Sequence, residues 1–175
     1  MYFFCYAQKD SIRMKIAKNT VFVEGGGSGI GISINYDRNY FQKGDTRYSI
    51  RTGIMIYPYG SSLVLPFEHS FFWGDNHSIE VCIGVTYIHG FVVKGNPCGY
   101  AGTNFDFTNA FFATQRVGYR YQKRKGGLFF RLGGGVLEKT IQFYKYMSTC
   151  SVDYPEGIFM DNIQPIFGLD LGYSF

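Results

Sequence analysis

The sequence predicts an all-β fold, a single eight-stranded antiparallel up-and-down β-barrel of the transmembrane kind, and three observations carry that expectation. The first is the stretch IQPIFGLDLGYSF at 163–175, where Ile163, Pro165, Phe167, Leu169, Leu171, Tyr173 and Phe175 alternate with mostly small or polar residues. Successive side chains of a strand point to opposite faces, so period two means a strand with one greasy and one polar face. Tilted near 45°, it rises roughly 30 Å, about the thickness of a bilayer's hydrocarbon core. The second is composition: 18 Phe, 15 Tyr and 23 Gly against 5 Pro in 175 residues favour strands and turns over helices. The third is the lack of any run of about 20 apolar residues. That excludes a membrane-spanning helix but not a barrel, whose strands cross with only about 9–11 alternating residues. The net charge of +4 is mild and the basic residues are scattered among acids, so no nucleic-acid surface is expected.

Residues 1–7, MYFFCYA, read as the tail of a secretory signal peptide, with Cys5 and Ala7 at the small-residue positions before a polar QKDS. Cys5 is a poor lipid-acceptor cysteine, because Tyr2, Phe3 and Phe4 precede it. Residues 8–18 form a polar, basic periplasmic leader, and 19–175 the barrel. The first strand is expected at 20–24, and GGGSG at 25–29 supplies the permissive backbone of a turn. Strand two, 30–40, sets Ile30, Ile32, Ile34 and Tyr36 against Gly31, Ser33, Asn35 and Asp37. Strand three, 47–57, opposes Tyr48, Ile50, Thr52, Ile54 and Ile56 to Ser49, Arg51, Gly53 and Met55. A PYGS turn leads to strand four, 63–73, with Leu63, Leu65, Phe67, His69 and Phe71 on one face and Glu68 and Ser70 on the other.

Gly74-Asp75-Asn76 turns the chain, with His77, into strand five, 78–89, which sets Ile79, Val81, Ile83, Val85 and Tyr87 against Glu80, Cys82, Gly84 and Thr86. Strand six, 108–122, ends with Val117, Tyr119 and Tyr121 facing away from Arg116, Gly118, Arg120 and Gln122. After KRKGG comes strand seven, 128–137, with Leu128, Phe130, Leu132 and Val136 opposite Phe129, Arg131, Gly133 and Gly135. The stretch at 163–175 is the eighth. Turns after strands two, four and six are short; the connections at 90–107 and 138–162 are long and lie on the other side. That asymmetry is the one found in outer-membrane barrels, and an even strand count puts both chain ends on the short-turn, periplasmic side.

Alternation alone leaves two orientations. A soluble, lipocalin-like barrel would turn the apolar face inward around a lipophilic ligand. Three features favour the reverse. The apolar faces are too bulky for an eight-stranded interior, which side chains only just fill, whereas the opposite faces are glycine-rich. The small-residue face carries Glu24, Asp37, Glu68, Glu80 and Asp170 against Arg51, Arg116, Arg120 and Arg131, a near balance suited to a buried, structural ion-pair network. Its centre is expected at Asp170 and Glu80 with Arg116, Arg120 and Arg131. Finally, Tyr36, Tyr40, Tyr48, Phe71, Trp73, Tyr119, Tyr121, Tyr173 and Phe175 all fall near the short-turn end, as an interfacial girdle would.

The segments NTVFVEGGGSGIGISINYDR, GDNHSIEVCIGVTY, RVGYRYQKRKGGLFFRLG and GLDLGYSF resemble the small eight-stranded outer-membrane barrels of Gram-negative bacteria, OmpA-transmembrane-domain-like or OmpX-like. The likeness spans about 19–175, looks closest to the barrels common in Bacteroidota, and is specific for architecture rather than activity. It implies outer-membrane lipid as surroundings, a monomer, and a terminal signal for the barrel-assembly machinery at Tyr173 and Phe175. The peptidoglycan-binding domain of larger relatives does not follow the barrel, so no wall-anchoring role is implied.

No specific chemistry stands out. GGGSGIG lacks both the dinucleotide-binding spacing and a phosphate-loop lysine. His69, His77 and His89 show no metal-ligand spacing, so neither a metal nor another cofactor is expected. A lipid-modifying enzyme would draw on His89 with Ser151 or Asp153 at the outer rim; an interfacial histidine is the plainer reading. Cys98 and Cys150, one in each long connection, are placed to form a disulfide, while Cys82 faces inward as a small packed residue. Two functional classes remain open: a non-enzymatic surface protein that stabilises the outer membrane or presents the aromatic-bearing connections 90–107 and 138–162 to a partner, or a small enzyme or ligand-binding barrel.

Overall fold

In a computed structural model of the chain, which describes residues 17–57, 62–94, 104–145 and 163–175, eight strands close into one barrel. They are β1 (Asn19–Gly26), β2 (Gly31–Lys43), β3 (Thr46–Tyr57), β4 (Ser62–Gly74), β5 (His77–Lys94), β6 (Asn104–Gln122), β7 (Gly127–Lys145) and β8 (Ile163–Ser174). Each strand pairs antiparallel with its sequence neighbours, and β1 closes on β8 from Thr20↔Ser174 to Gly26↔Gly168. Closure satisfies every edge, the condition a sheet must meet where no water reaches its backbone. The short turns lie at one end. There the Phe175 carbonyl accepts from the Lys18 and Asn19 amides, and Ala17 donates to the Arg124 carbonyl.

Alternation resolves into two opposite environments. Outward side chains such as Phe167 (78% exposed) and Ile32 (75%) stand free of the protein, whereas Glu24, Arg51, Glu68, Glu80 and Arg120 are wholly enclosed. The inward face packs because glycines open room for large partners. At Gly84 an added Cβ would lie 2.7 Å from Glu68 Cα and 2.8 Å from its Cγ, so glycine there gives Glu68 its place in the lumen.

Three sequence expectations need correction. The GGGSG turn is shorter than expected and lies buried. β1 continues through Gly26, and Gly27–Gly29 form a 3-10 turn whose residues are all buried. The Glu24 carboxylate holds that turn inward by accepting from the Gly29 amide (3.3 Å) and the Ser33 hydroxyl (3.1 Å). Thr86 Oγ1 adds a bond to the Ser28 carbonyl. Gly27 sits at φ +62°, and a Cβ there would meet Glu24 Cδ at 2.7 Å and Arg116 Nη1 at 2.9 Å; only glycine fits.

Second, Ile30 does not join the outward face of Ile32 and Ile34. It caps the turn in a left-handed conformation and packs on Ala110, Phe112, Leu137 and Ile166, a small apolar cluster at the far end of the lumen. Third, β5, β6 and β7 run well past their expected ends. Pairing persists from Gly90↔Thr108 to Lys94↔Asn104 and reaches Phe107↔Lys145, so much of the expected 90–107 and 138–162 connections is strand. His77 likewise begins β5 rather than lying in the turn. Strand pairing is a backbone property and continues where side-chain pattern no longer announces it. Residues 1–16 fall outside the described residues, and with them the expected signal-peptide tail and most of the leader.

Candidate functional site

The site with the most chemistry is the lumen. Among the described residues five carboxylates (Glu24, Asp37, Glu68, Glu80, Asp170) and five arginines (Arg47, Arg51, Arg116, Arg120, Arg131) are buried there. Register delivers them: Glu24 lies opposite Asp170, Arg51 beside both Asp37 and Glu68, and Glu80 across from Phe72.

These charges sort into two linked clusters. In the first, Arg51 and Arg116 both bridge Glu24 and Glu68. Arg51 Nη1 lies 2.8 Å from Glu68 Oε2, Arg116 Nη1 2.6 Å from Glu24 Oε1 and Arg116 Nη2 2.9 Å from Glu68 Oε2, with Arg51 Nη2 closing the ring on Glu24 Oε2. Asn35 Oδ1 accepts from Arg51 Nε at 3.1 Å. In the second, Arg120 Nη1 pairs with Asp37 (2.9 Å) and Glu80 (3.1 Å), while Gln122 Oε1 accepts from its Nε (3.0 Å) and Nη2 (2.8 Å). Arg131 joins the two, pairing with Asp170, with Glu80 at 3.5 Å and with Glu24 at 3.8 Å. All nine sequence-nominated charges therefore sit in one lumen. Its hub, however, is Glu24 and Glu68 with Arg51 and Arg116, not the expected Asp170 and Glu80. The inward glycine turn is the reason: it commits Glu24 to the middle of the barrel.

Arg47 was not among the nominated residues. It is buried near the short-turn end, and its Nη2 donates to the Asp75 carbonyl (2.5 Å), the Ser78 hydroxyl (3.0 Å) and the Gly74 carbonyl (3.3 Å). Parity was the available signal, since Arg47 shares its face with Ser49 and Arg51. Inward aromatics separate the guanidinium groups. Phe72 lies 4.6 Å from Arg47 Cζ and 4.1 Å from Arg120 Cζ, and Phe22 lies 5.2 Å from Arg51 and 5.0 Å from Arg131. A ring face attracts a desolvated cation and fills volume without adding a charge that needs its own partner.

The lumen is close to full. A cavity lined by Glu80, Cys82, Arg116, Arg131 and Asp170 measures about 10 Å³, near the minimum that admits one water. Cys82 is buried against the Ser70 hydroxyl at 3.2 Å. Replacing Arg120 by alanine would leave Asp37 without its buried cation. The expected result is a fall of about 3 kcal/mol in unfolding free energy, read by urea titration in lipid vesicles. An unchanged midpoint together with large ion conductance in planar bilayers would contradict a structural role.

Outside the lumen, the histidines occupy the exterior face. His69 Nε2 meets Tyr40 Oη at 2.5 Å, His77 Nδ1 meets Tyr119 Oη at 2.5 Å, and His89 Nδ1 lies 2.7 Å from Asn109 Oδ1, which also accepts from Tyr87. Among the described residues no group of three His, Cys, Asp or Glu side chains could hold a metal ion. Ser151, Asp153, Cys98 and Cys150 lie outside the described residues. Tyr173 and Phe175 are exposed on the outer face of the short-turn end, where Tyr173 pairs with Val21 and Leu128.

Ring contacts turn the girdle aromatics into a band: between neighbouring strands Tyr40 meets Tyr48, Tyr48 meets Phe71 and Tyr119 meets Phe130, and along β4 Phe71 meets Trp73. At the same end Arg124 clasps two other turns. It pairs with Asp45 at 2.7 Å and with Asp75, and the Asp75 hydrogen bond first of all raises its pKa above the ordinary arginine value.

A closed eight-stranded barrel with a charged, filled lumen, an apolar exterior and an aromatic belt is the fold of small outer-membrane barrels. The N-terminal β-barrel domain of Pseudomonas aeruginosa OprF has this fold: the match covers 93% of this chain and 98% of that one, at a TM-score of 0.54 and 10% identity. At that identity the likeness is one of fold. No family model matches the chain, and neither does any curated protein.

Proposed function

We propose that the protein is an integral outer-membrane β-barrel with its short turns in the periplasm. Its ion-paired interior is a structural plug, and its role is structural or surface-interacting rather than catalytic. The observation that carries this reading is the inversion of polarity. Exterior isoleucines, leucines and valines stand exposed while ten ionisable side chains are buried in the lumen. A water-soluble barrel with that arrangement would hydrate its apolar surface and desolvate its charges, paying twice; in a bilayer the first cost disappears.

The surface role falls to the connections between β5 and β6 and between β7 and β8. Their segments at 95–103 and 146–162 carry Tyr100, Tyr146 and Tyr154 as candidate contact residues. Replacing both segments with short glycine-containing turns is expected to preserve the heat-dependent gel mobility of a folded barrel and to remove binding of whole cells to their extracellular partners. Loss of the folded band would assign those segments to stability instead.

A further inference from the structure

The lumen is electrically balanced, with five buried acids and five buried arginines, so the excess charge of the described chain must lie elsewhere. It lies at one end. Lys18, Arg38, Lys43, Lys123 and Lys125 are exposed around the short turns, and none forms an ion pair among the described residues. The two acids of that rim, Asp45 and Asp75, are both engaged by Arg124. Arg38 is placed most tellingly. It alternates with buried Asp37 and Asn39, so it stands on the outer face between exposed Tyr36 and Tyr40. Its ladder partner on β1 is Asn19, and the next residue, Lys18, accepts from the Asn39 amide through its carbonyl at 2.7 Å. Two unpaired cations thus adjoin the edge of the aromatic band.

We propose that this basic collar binds the phosphate headgroups of anionic phospholipids in the leaflet at the short-turn end. The inference rests on the membrane placement proposed above. Aromatic belts sit at headgroup level, so cations at and just beyond the belt meet the phosphate layer. A guanidinium matches phosphate with two parallel hydrogen bonds, and lysines beside it add attraction to an anionic surface. The collar's occupant is therefore a lipid carrying net negative charge, such as phosphatidylglycerol, rather than a zwitterionic one.

The single tryptophan is a built-in reporter, because Trp73 is exposed within the belt at this end and pairs with Thr46 at the edge of a collar turn. The full chain, folded into vesicles, is titrated with brominated phosphatidylglycerol against brominated phosphatidylcholine, and Trp73 quenching gives their relative affinity. The collar predicts a severalfold preference for the anionic lipid that shrinks as salt rises, and near parity for K18Q/R38Q/K43Q/K123Q/K125Q. Parity in the native chain overturns the inference, as does a preference that survives the charge removal or ignores salt. Retention on purified peptidoglycan without any lipid preference would likewise overturn it, assigning the collar to the cell wall. If the quintuple variant does not fold, the salt titration of the native chain decides. Failure of the native chain to insert in either lipid would refute the membrane placement instead, so the two failures are distinguishable.

Discussion

Replacing Glu24 by alanine is expected to produce the largest loss of stability of any single lumen substitution, at or above the top of the roughly 3–5 kcal/mol range for breaking a buried ion pair. Glu24 faces Arg51, Arg116 and Arg131 at once, and its Oε2 also fixes the inward turn through Gly29 and Ser33. Removing it leaves the lumen one positive charge in excess, takes a carboxylate partner from each of three buried arginines, and releases the turn. Glu24→Gln separates the two contributions. The amide oxygen still accepts a hydrogen bond, so the turn is kept while the charge is lost. Urea unfolding in lipid vesicles should rank native above E24Q above E24A. Equal midpoints for all three would remove Glu24 from the centre of the account.

Ile83→Arg carries the second large effect, and it comes from outside the barrel. Ile83 is 59% exposed and lies mid-strand, opposite His69 and Gln115. On a water-soluble barrel an arginine there would cost almost nothing, since the side chain meets only solvent. On a lipid-facing surface the cost is about 2–4 kcal/mol near the midplane and falls towards the interfaces. The same substitution at Val21, beside Tyr36 and Tyr173 in the belt, should therefore cost less. A depth-dependent penalty, measured by vesicle unfolding, is the expected pattern. Equal, negligible costs at both positions would place the apolar face in water.

The architecture was legible because alternation survives wherever one face is greasy and the other polar. That is why β2, β5 and β8 could be read from Ile32–Ile34, Ile79–Val85 and Phe167–Leu171, and why the charged residues fell on the inward face. Legibility failed where side chains answered to other demands. The glycines at 25–29 look alike in a sequence, but the Glu24 carboxylate, five residues before Gly29, draws that residue into the barrel and makes the turn part of the plug. At Gly90 and Asn104 the composition is that of a loop, yet both lie in paired strands. The centre of the ion network was misplaced for a related reason. Strand parity says which face a charge occupies but not how far across the lumen its side chain reaches, and Asp37 bypasses its ladder neighbour Arg51 to pair with Arg120.

The most direct test of the inverted barrel is extraction followed by gel electrophoresis with and without boiling. The account predicts that the protein stays in the membrane fraction until detergent is added, and that its unboiled form migrates differently from the boiled one. A protein released without detergent, with one mobility under both conditions, would contradict it and put the apolar face in water.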